Sequence, residues 1–270
     1  MYNGIREVEV TEEELAQFYE GKIKYDLLPN QYLLLKLNGE YISTKYKLNK
    51  DGKVVEVRYK KIESPLMGPV KPRNLRQELY FDLLNSEIPL TLVSSEAGCG
   101  KTWVATCYAL QELEKNRYDK ILFLRNNIPI ADVGELGIVP GDANEKLKGY
   151  FAYISDILNP FMFETYLAQG KIEIAWLGDM RGRNISKSIV ICSESQNLTT
   201  PLVKMIISRM GEGTRLIFDF DLEQIDNKKY DKDNGMRSMV DCLAGHPMFG
   251  IVELIDVERS ALARLASLIK

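Results

Sequence analysis

Two different spacings of hydrophobic residues divide this chain near residue 68. Before that point, short stretches rich in leucine, tyrosine and β-branched residues are separated by turn-forming asparagine, aspartate and glycine, a pattern typical of β-hairpins. After it, short apolar runs alternate with helix-length stretches, which favours a mostly parallel sheet covered by helices on both faces. We therefore predict a small β-hairpin-rich module over residues 1–68 and an α/β domain over residues 69–270.

The first domain is predicted to hold one helix and three strands. Thr11 followed by Glu14 is a capping-box pattern, which opens a helix that ends near Tyr19. Turn signals at Asn38-Gly39 and at residues 49–52 predict a small antiparallel meander. Its strands are expected at Gln31–Leu37, Glu40–Tyr46 and Lys53–Lys60. Residues 63–69, rich in proline and glycine, are interpreted as a linker.

In the second domain, the apolar runs predict strands and the stretches between them predict helices. The carboxyl ends of parallel strands form the edge where ligands bind in such folds. The predicted strands are Leu90–Ser94, Lys120–Leu124, Ile172–Trp176, Ser188–Ile191 and Arg215–Phe218, and the predicted helices are Leu75–Leu84, Lys101–Lys115, Ala143–Leu158 and Leu202–Met210.

A phosphate-binding loop is predicted between the first of these strands and the following helix. Glycines let the backbone wrap phosphates, Lys101 can reach the outer phosphates, and the Thr102 hydroxyl can bind magnesium. The start of a helix also favours a bound phosphate. Ser95 stands where the usual pattern has its first glycine, and a chance Gly-Lys-Thr in an ordinary loop is the alternative. The loop consists of Ser95, Glu96, Ala97, Gly98, Cys99, Gly100, Lys101 and Thr102.

A second strand ends in residues suited to hydrolysis. Residues 188–196 run from an apolar strand into Ser193 and Glu194. A P-loop enzyme needs a carboxylate there for magnesium and a group that positions water. Glu194 is a candidate general base, whereas Ser193 occupies the position where an aspartate is expected and brings no charge to a metal ion. The alternative is a buried strand that merely ends in polar residues.

The strand at Arg215–Phe218 is followed by further acidic residues at the same predicted edge. Gln224 is a candidate sensor of the terminal phosphate, and Asp221 could supply part of the charge that Ser193 lacks. A solvated acidic loop is the other interpretation.

Composition narrows the function classes only slightly. The net charge is −3, so contact with nucleic acid would need a local basic patch. Candidates for such contacts are Arg125, Arg181, Arg183, Lys45 and Lys47, although lysine-rich hairpins are commonly just solvated surfaces. No signal peptide or membrane span is predicted, so we expect a cytoplasmic protein. Cys99 lies beside a helix start and Lys101, surroundings that lower a thiol pKa and favour oxidation, but the preferred interpretation is a tolerated small side chain.

Taken in order, these motifs resemble the PhoH family of P-loop ATPases, in particular its members with an N-terminal PIN ribonuclease domain. The resemblance covers nearly the whole chain. It is carried by Lys71–Gln77, the phosphate loop, Leu136–Gly141 with Glu145 and Lys146, Arg181–Arg183, Glu194–Asn197, Arg209–Gly213, Asp221–Asp226, Asn234-Gly235 and Glu258–Ser260.

The resemblance implies a RecA-like core, ATP and Mg²⁺ as cofactors, a homo-hexameric ring, and helicase or translocase action on single-stranded RNA or DNA. It implies that Gln77 reads the adenine and that Arg259 acts between subunits. Lys101 and Thr102 would hold the phosphates and the metal, Glu194 would activate water, and Gln224 would report the terminal phosphate. Metal contacts would fall to Thr102, Ser193 and Asp221.

Three positions depart from the family pattern: Ser95, Ser193, and Phe220 in place of a usual glycine. They leave open a nucleotide-binding module with weak catalysis, and a nucleic-acid-binding scaffold is a third hypothesis. Residues 1–68 resemble the module between the PIN and ATPase domains and lack the aspartate cluster of a ribonuclease. We therefore expect no RNA cleavage by this chain alone and allow for a separate nuclease partner.

Overall fold

The computed structural model describes residues 1–48, 52–96, 98–125, 152–225 and 228–256. These residues form one six-stranded sheet, one four-stranded sheet and one two-stranded hairpin. The strands are β1 Ile5–Val10, β2 Tyr32–Leu37, β3 Glu40–Leu48, β4 Val54–Glu56, β5 Ile62–Ser64, β6 Gly68–Val70, β7 Leu90–Ser95, β8 Lys120–Arg125, β9 Ile172–Trp176, β10 Ser188–Ser193, β11 Arg215–Phe220 and β12 Phe249–Leu254. The α-helices are α1 Glu12–Tyr19, α2 Leu75–Leu84, α3 Lys101–Glu114, α4 Ala152–Leu158, α5 Pro160–Ala168, α6 Thr200–Ile207, α7 Lys228–Lys232 and α8 Gly235–Leu243.

The six-stranded sheet has the order β12-β7-β11-β10-β8-β9, and every neighbouring pair is parallel. Its strands are buried on both faces, as expected for a parallel sheet under two layers of helices. The helices α2, α3, α4 and α5 pack on one face. The helices α6 and α8 pack on the other. This arrangement confirms the predicted RecA-like α/β fold.

Most of the predicted elements of this domain are observed close to their expected bounds. Helix α2 coincides with its prediction, and the predicted helix at 143–158 is described only over α4. The edge strand β12 was not predicted, and neither was helix α8. Strand β12 pairs with β7 from Phe249 to Leu254, so it completes the sheet on the side of the phosphate loop.

The N-terminal sheet differs from the predicted antiparallel meander in one strand. Strands β2, β3 and β4 are antiparallel as predicted, but β1 joins them and runs parallel to β2. The hairpin turn has positive φ at both Asn38 and Gly39, which suits these residue types. Helix α1 begins with the predicted capping box, since Thr11 accepts from the Glu14 amide at 3.2 Å.

The N-terminal sheet packs directly on the α/β domain. Ile5, Tyr32 and Leu34 belong to the same hydrophobic core as helices α2 and α3. The predicted linker is a paired hairpin, in which β5 and β6 are antiparallel neighbours. Gly4 lies so close to β12 that a Cβ atom there would be 1.7 Å from the Ile251 carbonyl oxygen. The division at residue 68 stays a prediction.

Ion pairs also join the two parts. Arg76 on α2 donates to Glu7 of β1 at 2.6 Å and to the Glu253 carboxylate of β12 at 3.2 Å. Lys45 and Lys47 of β3 pair with Glu78 and Asp82 of α2. Within the described ranges, no helix is long and apolar enough to cross a membrane.

Candidate functional site

The phosphate loop joins β7 to α3, as its motif predicts. Gly98 and Gly100 both have positive φ, at 93° and 83°, a conformation that side chains other than glycine rarely adopt. Helix α3 begins at Lys101 directly after Gly100, so its first amide groups face the loop. Ala97 lies outside the described residues.

Inside the loop, the hydrogen bonds of the Lys101 amine to described residues go to backbone oxygens. Its amine donates to the Ser95 carbonyl at 3.3 Å and to the Glu96 carbonyl at 3.4 Å. These are long bonds for a charged donor, for which 2.7–2.9 Å is typical. A negatively charged phosphate oxygen would be a stronger partner than either carbonyl. The Ser95 side chain turns back on the loop and donates to the Glu96 carbonyl at 2.7 Å.

Gln77 supports the loop from helix α2. It is buried, its Nε2 donates to the Cys99 carbonyl at 3.1 Å, and its Oε1 accepts from the Arg73 amide at 2.9 Å. Both ends of the amide are therefore engaged with backbone groups in this arrangement. Contact between Gln77 and an adenine stays a prediction.

The Cys99 thiol is buried, and burial raises its pKa despite the opposing effects of the Ser95 hydroxyl and the Lys101 charge. A lowered pKa, the less favoured interpretation, is therefore wrong, because desolvation outweighs the nearby cation. The preferred interpretation, a small buried side chain in the loop, fits the structure.

Strand β10 brings Ser193 and Glu194 to the carboxyl edge of the sheet, beside the phosphate loop. Glu194 adopts a left-handed backbone conformation, with φ 55° and ψ 40°, which is uncommon for a residue other than glycine. Such strain is concentrated at functional sites. Glu194 is a partly exposed residue among buried neighbours, which leaves room for water to approach it.

Gln196 fixes the orientation of that carboxylate. Its Nε2 donates to Glu194 Oε2 at 2.7 Å and to the Gln224 carbonyl at 3.3 Å, and its Oε1 accepts from the Asp221 amide at 3.2 Å. One buried side chain thus links the candidate base to the loop after β11. Our sequence reasoning assigned no role to Gln196, although an amide two residues after a candidate base was a usable signal.

The two predicted residues of that loop occupy different environments. The Asp221 carboxylate accepts from the Glu223 amide at 3.0 Å and so caps the short 3₁₀ helix Leu222–Gln224. The Gln224 side chain is exposed, while its backbone is held by Asp221 and Gln196. Neither assignment is tested by this geometry.

Asp219 is the charged group at this edge that was not predicted as a site residue. It is fully buried at the end of β11, and its Oδ1 accepts from the Glu194 amide at 3.2 Å. Burial raises the pKa of Asp219 from 3.8 to about 6, against the opposing effects of the Lys101 charge and the Thr102 hydroxyl. Because Lys101 and Thr102 both act on its carboxylate, Asp219 lies beside the phosphate loop. The usable signal was an aspartate at the end of an apolar strand.

Phe220, the third departure from the family pattern, does not enter the site. Its side chain is fully buried in the core on the opposite face of the sheet, with Phe218. The large residue is therefore accommodated by the fold.

The predicted basic residues are spread over the molecule. Lys45 and Lys47 lie against α2, and Arg183 pairs with Glu173 of β9. Arg181 is exposed, and Arg125 ends β8 beside Ser193. Arg259 lies outside the described residues. Contact of these side chains with nucleic acid stays a prediction.

The donor set fits a nucleotide-bound magnesium ion. Among the described residues, no group of three or more His, Cys, Asp or Glu side chains is arranged to hold a metal alone. Magnesium in nucleotide sites takes only one or two protein ligands and fills the rest with phosphates and water. The Thr102 hydroxyl and one carboxylate at the end of β11, from Asp219 or Asp221, meet that requirement.

Comparison with known proteins gives a consistent picture. A family model described as "PhoH-like protein" matches residues 69–269. The chain is 32% identical to Protein PhoH2 of Bacillus subtilis, over 99% of this chain and 64% of that protein. It is 33% identical to Protein PhoH of Escherichia coli, over 73% of this chain and 57% of that protein. The chain thus spans less than two thirds of the length of these curated relatives.

Proposed function

Because the chain belongs to the PhoH-like family, which is a family of P-loop ATPases, we propose that it hydrolyses ATP with Mg²⁺ and couples hydrolysis to remodelling of, or movement along, single-stranded RNA or DNA. The observation that carries the ATPase proposal is the convergence of Lys101, Thr102, Asp219 and Glu194 at one sheet edge. A homo-hexamer in which Arg259 reaches a neighbouring subunit, and a nuclease partner, belong to the same proposal.

The roles follow from the positions of the side chains. The loop amides and Lys101 bind the phosphates, and Glu194, oriented by Gln196, accepts a proton from the attacking water. Bound magnesium would neutralise phosphate charge as a Lewis acid. Gln196 donates both to Glu194 and to the Gln224 carbonyl, so a shift of the loop after β11 would change the orientation of the base.

Steady-state ATP hydrolysis with Mg²⁺ tests this proposal, with Lys101→Ala as the inactivating variant. Removing one preorganised charge from a phosphate site costs roughly 100- to 1,000-fold in turnover. Lys115→Ala is the matched control, because Lys115 is exposed at the other end of the same helix. Turnover unaffected by Lys101→Ala would contradict an ATPase at this site.

Single-stranded RNA added to the same assay tests the coupling. We expect turnover to rise with RNA, and to rise less at high salt, because backbone contacts are electrostatic. An ATP turnover that changes with neither RNA nor DNA would contradict the proposed coupling to nucleic acid and leave the ATPase proposal in place.

Ser193 favours a second candidate function, a nucleotide-binding module that turns over slowly. The serine brings no charge to a metal ion. This candidate predicts ATP binding with little hydrolysis and a marked gain of turnover in Ser193→Asp. Rapid turnover by the wild-type protein would exclude it.

A further inference from the structure

The end of β11 lies directly beside the end of β10. The parallel register pairs Ile189 with Arg215 and continues residue by residue to Cys192 and Phe218. The next step of the same register places Asp219 beside Ser193. Neighbouring strands are about 4.8 Å apart, so a carboxylate on either strand end can serve the same small volume.

Both side chains point to the face of the sheet that carries α3. On β10, Ile189 and Ile191 pack into the core on that face, while Val190 and Cys192 pack on the other. On β11, Ile217 packs on the α3 face, while Phe218 and Phe220 pack on the other. Because side chains alternate along a strand, Ser193 and Asp219 both face the start of α3 and the phosphate loop.

Two polar atoms at this position are buried and make no hydrogen bond of normal geometry with the described residues, although the Thr102 hydroxyl lies close enough to lower the pKa of Asp219. Asp219 Oδ2 and Ser193 Oγ have no hydrogen-bond partner within the described parts of the chain. Asp219 Oδ1 is occupied by the Glu194 amide, so Oδ2 is the oxygen left over. Burying a carboxylate oxygen without a partner is costly, and such atoms mark positions where a ligand or ion belongs.

We infer that Asp219, near the end of β11, is the metal-positioning carboxylate of this site. It takes the role of the aspartate that is expected at the end of β10, where this chain has Ser193. The inference rests on the proposed function and deepens it. The Thr102 hydroxyl of α3 would then be the other protein ligand of the metal, and the Ser193 hydroxyl would bring no charge to it. By holding the Glu194 amide, the same aspartate also ties the metal side of the site to the candidate base.

Asp221 is the competing carboxylate, and its contacts favour a structural role. Its Oδ1 accepts from the Glu223 amide, in the first turn of the 3₁₀ helix. That bond turns the carboxylate toward its own loop. Comparing Asp219→Asn with Asp221→Asn therefore separates the two assignments.

The experiment measures the affinity of a fluorescent ATP analogue in EDTA and in Mg²⁺, and counts bound Mn²⁺ by electron paramagnetic resonance in the presence of ADP. Loss of a group that orients a metal typically lowers metal affinity roughly 10- to 100-fold. We expect Asp219→Asn to bind the ATP analogue in EDTA as tightly as wild type, which shows that the loop is folded. The same variant should lose the increase in nucleotide affinity that Mg²⁺ gives to wild type, whereas Asp221→Asn should keep that increase.

The exchange variant Ser193→Asp/Asp219→Ser returns one carboxylate to the same volume and should restore Mn²⁺ binding. An Asp219→Asn protein that retains the full response to Mg²⁺ and Mn²⁺ would overturn the inference while leaving the proposed function in place. Wild-type protein that binds no nucleotide in either condition would overturn both.

Discussion

Buried charged side chains are paired to different extents in two regions of this protein, the contact between the N-terminal sheet and α2 and the sheet edge beside the phosphate loop. Where the N-terminal sheet meets α2, both terminal nitrogens of the buried Arg76 donate to oxygens of Glu7 and Glu253, and only its Nε lacks a partner among the described residues. At the edge beside the phosphate loop, the buried Asp219 has one oxygen with a single bond and one with no partner among the described residues. The paired cluster stabilises the fold, whereas the under-paired carboxylate destabilises it and is suited to a ligand.

The largest expected effect on stability comes from breaking the paired cluster. Arg76→Ala leaves Glu7 and Glu253 without their shared cation, and we expect the free energy of unfolding to fall by about 3 kcal/mol, measured by urea denaturation. Arg58→Ala is the control, because Arg58 forms an exposed pair with Glu56 and should cost about 0.5 kcal/mol or less. Equal losses in the two variants would remove the distinction between the regions.

The next effect has the opposite sign. Because the pKa of Asp219 in the folded protein is raised to about 6, wild-type protein loses stability as the pH rises from about 4 through 6. Asp219→Asn carries no such charge, so in EDTA at pH 8 it should be more stable than wild type by about 2–3 kcal/mol. The gain should shrink toward pH 4. A variant that is less stable than wild type at pH 8 would contradict the cost assigned to the buried carboxylate.

A smaller effect is expected for the side chain that orients the candidate base. Gln196→Ala removes the donor to Glu194, and we expect kcat to fall about tenfold while nucleotide affinity stays within about twofold. Gln196→Glu keeps an acceptor for the Asp221 amide but loses the donor, so it should lower kcat at least as much. Loss of kcat in the alanine variant alone would indicate a packing role instead.

The smallest effect concerns the lysines that were predicted to contact nucleic acid. Lys45→Met breaks the pair with Glu78 and should cost about 1 kcal/mol of stability. Since this lysine is engaged with α2, we expect the salt dependence of RNA binding to stay unchanged. A reduction of the salt slope by about one unit would show instead that Lys45 contacts a phosphate.

Local sequence patterns were sufficient for the phosphate loop and for the strands that lead to it. The buried apolar runs of β7, β8 and β10 and the Thr11 capping box are signals contained within a few residues. Strand β1 was missed because Arg6, Glu7 and Glu9 interrupt its apolar residues, and its pairing with β2 is a contact distant in sequence.

The role of Asp219 could not be predicted along the chain alone. Motif spacing placed the metal carboxylate at position 193, which holds a serine, and left Asp221 as the candidate to supply the missing charge. The strand register, which the sequence does not give, decides which residue lies beside Ser193. The direction of each side chain is likewise set by which face of the sheet packs against α3. The effect of burial on Cys99 was missed for the same reason, because the extent of burial is a property of the folded protein.

The most direct test is a structure of the protein with ADP, beryllium fluoride and Mg²⁺. The account predicts phosphates on Lys101 and the loop amides, and a magnesium ion between the Thr102 hydroxyl and the Asp219 carboxylate. A nucleotide bound elsewhere, or a magnesium ion held without Asp219, would contradict it.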